Sequence, residues 1–79
     1  MNIVIYTKGN GCPNCVSAKQ LLQSKKLDYS EYDIEEDNDA RLWLQYNYPD
    51  ARQMPQIIIN DQRVGGLAGL QAALKQLGL

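Results

Sequence analysis

Gly11-Cys12-Pro13-Asn14-Cys15 holds both cysteines of the chain and stands where an apolar, β-branched run gives way to a helix-forming one. Pro13 suits the first position of a helix, where its fixed φ is already helical and its missing N–H has no partner to lose. That assignment puts Cys12 at the N-cap and Cys15 one turn inside. Two thiols three residues apart at a helix start lie close enough to join as a disulfide. The unpaired N–H groups at that end favour the thiolate of the first cysteine over its thiol. The local chemistry is that of a dithiol redox site.

Before the pair, Asn2 to Tyr6 reads as a strand buried on both faces, because it is β-branched and aromatic without polar alternation. Thr7 to Gly11 is a loop. After the pair, Val16 to Lys26 favours a helix, with Cys15, Ala18 and Leu22 on one stripe and Lys25 and Lys26 closing its negative end. Tyr29 to Ile34 alternates as a partly exposed strand does, which completes a right-handed parallel βαβ unit.

Asp37, Asn38 and Asp39 are capping candidates for a second helix from Ala40 to Asn47, whose Leu42, Trp43, Leu44 and Tyr46 are denser than one apolar stripe requires. Pro49 pushes Tyr48 out of the helical region, and Ala51 to Met54 forms a connecting loop. Gln56 to Ile59 is a third strand, turned by Asn60-Asp61 into a short fourth, Gln62 to Val64. Gly65-Gly66 breaks that strand and lets backbone approach closely. A last helix then carries Leu67, Leu70, Leu74 and Leu77 on one stripe, with Gly78 as its stop.

At 79 residues and 44% hydrophobic content, the chain is expected to be a single domain, residues 1–79, near the lower size limit for a core that folds unaided. No run approaches the ~20 apolar residues of a membrane span, and Met1 to Thr7 does not resemble a signal peptide. A net charge of -1 with mixed signs gives no electrostatic basis for binding nucleic acid or an anionic membrane. The acidic run Glu35-Glu36-Asp37 with Asp39 reads as a solvated helix start. Two cysteines this close in sequence supply no disulfide framework, so a reducing, cytoplasmic setting is expected.

The cysteine pair has competing uses. Structural zinc takes four ligands, and this chain offers two Cys and no His; a site shared between two chains or completed by carboxylates stays open. A structural staple gains little from so short a loop. Redox exchange next to a βαβ pattern is the reading that the order β-α-β-α-β-β-α supports best.

With those residues in place, the chain resembles the glutaredoxins over essentially its full length. Ile5-Tyr6-Thr7-Lys8 resembles the family's strand and lysine, and Cys12-Pro13-Asn14-Cys15 its Cys-Pro-Tyr-Cys motif. Met54-Pro55-Gln56-Ile57 is similar to the family's Val-Pro-Gln segment, and Val64-Gly65-Gly66 to its double glycine. The resemblance implies a thioredoxin-like α/β fold, a four-stranded mixed sheet flanked by three helices, with Pro55 cis beside the cysteines. It implies catalysis by Cys12 as nucleophile, at the exposed helix end, and by the more buried Cys15. No bound cofactor or metal is implied, and glutathione serves as co-substrate, held by Lys8, Met54, Pro55, Gly65, Gly66, Leu67 and Ala68. Arg52 and Gln53 are further candidates for its glycyl carboxylate.

The implied partners are glutathione and disulfide-bearing proteins, a ribonucleotide reductase among them, acted on by a monomer. Two departures from the family pattern stand out. Three residues, Gly9, Asn10 and Gly11, separate Lys8 from Cys12 where the family usually has two, and Leu67-Ala68-Gly69 lacks the acid that usually holds the glutamyl amine. The second departure leaves thioredoxin reductase open as the electron source. An iron–sulfur cluster held by Cys12 of two chains and glutathione is the other alternative, against which Pro13 restrains the loop. An inert cysteine pair in an interaction protein is the third.

Overall fold

A computed structural model describes residues 1–9 and 11–79, so Asn10, within the expected loop, lies outside the described residues. In chain order the elements are β1 (Ile3–Thr7), α1 (Pro13–Ser24), β2 (Ser30–Asp33), α2 (Asn38–Asn47), β3 (Gln56–Ile59), β4 (Gln62–Gly65) and α3 (Leu67–Gln76). The strands lie in the order β2-β1-β3-β4, with β1 parallel to β2 and antiparallel to β3, and β3 antiparallel to β4. This is the mixed sheet of the thioredoxin-like fold. Among the described residues no helix is long and apolar enough to cross a membrane.

The two faces of the sheet follow from strand alternation. Ile3 and Ile5 of β1 and Ile57 and Ile59 of β3 form one cluster with Ala18 and Leu22 of α1 and Leu70 and Leu74 of α3. Tyr6 and Ile58 fall in a second cluster with Ala40 and Leu44 of α2, and this cluster also contains Cys12, Cys15 and Met54. The central strands are therefore apolar on successive residues because both faces are covered. Burial of each Leu or Ile on the first face is worth roughly 1.5–3 kcal/mol.

Several element ends differ from the sequence reading, each for a local reason. Asn2 precedes β1 rather than starting it. Its N–H donates to Asn60 Oδ1 at 2.9 Å and its carbonyl accepts from Asn60 N at 2.8 Å, tying the chain start to the β3–β4 turn. Helix α1 ends at Ser24, so Lys25 and Lys26 do not form its last turn. Lys26 stands at φ 56, and the N–H groups of Lys26 and Leu27 donate to Gln23 O and Leu22 O in a Schellman closure.

Helix α3 closes the same way, with Gly78 at φ 76 and the N–H groups of Gly78 and Leu79 donating to Lys75 O and Leu74 O. Leu77 is the C-cap and 52% exposed, so the expected stripe stops at Leu74. In α2, Asp37 is the cap, accepting from Ala40 N at 3.0 Å. Only Ala40 and Leu44 of that helix are buried; Leu42, Trp43 and Tyr46 are exposed, which accounts for the dense apolar pattern. The Asn60-Asp61 hairpin forms as expected, both residues at positive φ. Strand β4 runs one residue further than expected, through Gly65.

Candidate functional site

Cys12 and Cys15 are joined as a disulfide with Cα atoms 5.2 Å apart. Pro13 occupies the first turn of α1 and Cys12 its N-cap, as the sequence implies. The Cys15 N–H donates to Cys12 Sγ at 3.2 Å, and Val16 N donates to Cys12 O at 3.2 Å. The capping position, commonly held by a hydroxyl or carboxylate, is here held by sulfur. A Cys12 sulfur freed from the disulfide at this N-cap would keep that N–H as a hydrogen-bond donor.

Cys12 is not the exposed thiol that the sequence suggests. It is 5% exposed against 2% for Cys15, because its sulfur turns inward to its partner and lies under the segment that precedes β3. Met54 O stands 3.5 Å from Cys12 Sγ. A disulfide sulfur carries no proton, so in the oxidised state this is packing, whereas a thiol at Cys12 has that carbonyl as an acceptor. Met54 and Pro55 are both buried, and the peptide between them is cis, as the resemblance implies.

Gly66 adjoins the same segment. A Cβ placed on it would stand 3.5 Å from Pro55 O, so the double glycine and the proline are neighbours across the sheet end. Gly65, at φ 100, has a backbone conformation open to glycine, and Gly66 caps α3 without a side-chain hydrogen bond. Leu67 is half-buried against the aliphatic core and Ala68 is exposed. The first turn of α3 contains no acidic residue, so its free N–H groups present a positive end.

The remaining candidates are placed differently. Lys8 is exposed and, among the described residues, forms no hydrogen bond or ion pair. The neighbouring Gly9 N–H donates to Asp33 Oδ1 at 3.0 Å, anchoring this part of the loop to the end of β2. Arg52 and Gln53 are exposed, and the Gln53 carbonyl accepts from Gln56 Nε2 at 2.8 Å. Gln56 thereby ties the chain before Met54 to the start of β3, while its own Oε1 is buried and has no partner among the described residues.

Three contributors had no role in the sequence reading. Besides Gln56, Tyr6 packs in the cysteine cluster and stacks on Tyr32 and Trp43, each at 5.6 Å between ring centroids. Burial, then the neighbouring Tyr32, Tyr48 and Asp37, push its phenol above the ordinary tyrosine value. The third is Gly69. A Cβ there would fall 1.8 Å from Val64 O, so only glycine lets α3 lie this close to β4 and hold Gly66 beside Pro55. A glycine within the expected last helix, between Ala68 and Leu70, is the signal the sequence carries for it. Among the described residues no group of three or more His, Cys, Asp or Glu could hold a metal ion.

This arrangement of a sulfur-capped helix against a buried Met54-Pro55 segment suits thiol–disulfide exchange, and known proteins resemble the chain in sequence and fold. The family model described as glutaredoxin matches residues 3–64. A probable glutaredoxin of Synechocystis is 40% identical over 70 residues, covering 89% of this chain and 78% of that one. Glutaredoxin 3 of Escherichia coli is 37% identical over 78 residues, covering 99% of this chain and 92% of its own. A solved glutaredoxin structure from E. coli superposes with a TM-score of 0.74 at 28% identity, covering 98% and 96% of the two chains. With a family match across most of its length and a cysteine pair set as in dithiol members, the chain belongs to the glutaredoxin family of thiol–disulfide oxidoreductases.

Proposed function

We propose that this chain is a glutathione-dependent dithiol reductant of protein disulfides and glutathione mixed disulfides, working in a reducing compartment such as the cytoplasm. The observation that carries the reading is Cys12 Sγ at the N-cap, 3.2 Å from the Cys15 N–H and 3.5 Å from Met54 O. A thiolate in that position is both stabilised and next to a backbone edge that an extended peptide can pair with.

In the first step the Cys12 thiolate attacks one sulfur of the substrate disulfide; a mixed disulfide forms and the other substrate sulfur leaves as a thiolate. Cys15, deprotonated, then attacks Cys12 Sγ, closing the Cys12–Cys15 disulfide and releasing the second substrate sulfur. The substrate gains two electrons and the dithiol loses two. Two glutathione thiols reverse the sequence, leaving as glutathione disulfide. Met54, Pro55, Gly65, Gly66, Leu67 and Ala68 form the surface for the tripeptide, with the α3 N-terminus facing a carboxylate and Lys8 supplying an exposed cation. A ribonucleotide reductase disulfide is one protein substrate that the family resemblance implies.

A second reading differs only in the electron source. The first turn of α3 has no acid to hold the glutamyl amine of glutathione, which favours recycling by thioredoxin reductase. One experiment tests both: Cys12→Ser is expected to abolish disulfide reduction, while Cys15→Ser keeps activity on glutathione mixed disulfides. Full activity in Cys12→Ser would overturn the assignment. Run with glutathione plus its reductase and, separately, with thioredoxin reductase, the assay selects the reductant by which system sustains turnover.

A further inference from the structure

Helix α2 covers its face of the sheet incompletely. Between its first turns and the strands lies an open groove of about 420 Å³. Val4, Tyr6 and Ile58 line it from the sheet, and Ala40 and Trp43 from α2, with Tyr32 at the β2 side. Tyr6 and Trp43 lie nearly parallel, 7° apart, and Trp43 remains 44% exposed. The groove is thus apolar and aromatic within.

Its other lining residues include Asp37, Asp39 and Asp61, and no Lys or Arg. The ion pairs among the described residues, Lys19 with Glu31 and Arg63 with Asp50, lie elsewhere, and Arg41 turns its guanidinium to Asn38 Oδ1. The three carboxylates are therefore unneutralised by any basic side chain within ion-pair distance. Asp37 and Asp39 belong to the stretch from Glu31 to Asp39, which holds six of the nine acidic residues of the chain. The groove is thus rimmed by acids alone although the net charge of the chain is only -1. An apolar floor with a negative rim is complementary to a segment carrying both apolar and cationic side chains.

We propose that this groove docks an extended peptide segment of a partner protein in which lysine or arginine alternates with an apolar residue. The apolar side chain seats on Val4, Tyr6 and Ile58 beside Trp43, and the cations meet Asp39 and Asp61. Tyr6 belongs to the same packed cluster as Cys12 and Cys15, so a segment held here keeps its protein adjoining the dithiol. The docking site goes beyond the reductase reading. Its test needs no turnover, so its failure would leave that reading standing.

Trp43 is the only tryptophan of the chain and reports on the groove directly. The oxidised protein is titrated with two capped hexapeptides, Lys-Leu-Lys-Leu-Lys-Leu and Glu-Leu-Glu-Leu-Glu-Leu, following tryptophan fluorescence. The lysine peptide is expected to give a saturable change that weakens with added salt, and the glutamate peptide none. Asp39→Asn combined with Asp61→Asn should weaken the lysine peptide about three- to tenfold, the range of two partly screened ion pairs. Asp28→Asn, an acid outside the groove, should leave it unchanged. No saturable response to the lysine peptide, an equal response to both peptides, or an equal loss in Asp28→Asn would each overturn the proposal.

Discussion

The two faces of the sheet are built from different materials. The face under α1 and α3 is wholly aliphatic apart from its margins, and Ile5, Ala18, Leu22, Ile57 and Leu70 have no exposed surface. The cluster that α2 joins includes both cysteines, carried in by the start of α1, with a methionine and a stacked tyrosine, and beside it lies a groove. One side is aliphatic and the other polarizable, with a groove open to solvent beside it. The difference is one of material: one cluster is aliphatic burial alone, while the reactive sulfurs lie at the start of α1 in a cluster lined by sulfur and aromatic rings.

The largest expected effect tests that division directly. Leu70→Ala should lower unfolding free energy by about 2–5 kcal/mol, and Leu44→Ala, beside the groove, should fall at the bottom of that range. Denaturant titration of the two variants decides it, and equal losses would erase the contrast. Next comes Gly69→Ala, whose added methyl must displace the Val64 carbonyl, at a cost of about 1–3 kcal/mol. It sharpens the comparison because the aliphatic face also positions Gly66. The disulfide-reduction assay should show a raised KM for a glutathione mixed disulfide, beyond the loss of stability.

The smallest effect is on the α2 side. Asp37→Ala removes the cap on Ala40 N and should cost about 1 kcal/mol, read as a lowered thermal midpoint, with the reduction rate at Cys12 unchanged below the transition. A matching loss of activity would mean that α2 and the dithiol are mechanically coupled and that their cluster acts as one unit.

Much of this was legible in the sequence because it is local. Pro13 sets the start of α1 and so makes Cys12 its N-cap; Asn60-Asp61 specifies a two-residue hairpin; the strand–helix order follows from periodicity. Where the helix ends differ from that pattern, the closing hydrogen bonds of the last turn decide them. Lys26 adopts positive φ because Leu27 is pulled back to Leu22 O, and Leu77 leaves its stripe because Gly78 and Leu79 close the helix first. Trp43 and Leu44 look alike in an apolar run, yet only the sheet beneath decides that Leu44 is inside.

The sequence by itself therefore determined the chemistry: two cysteines at one helix start, a proline that fixes which is first, and no histidine to divert them to a metal through Cys–His ligation. Those facts need only neighbours along the chain. The tertiary structure alone decided how the site is enclosed. Met54 O meets Cys12 Sγ across 42 residues of sequence, Gly66 lies beside Pro55, and Gly69 admits α3 against β4. Such contacts depend on sheet order and helix packing, which bring together residues that no local pattern relates.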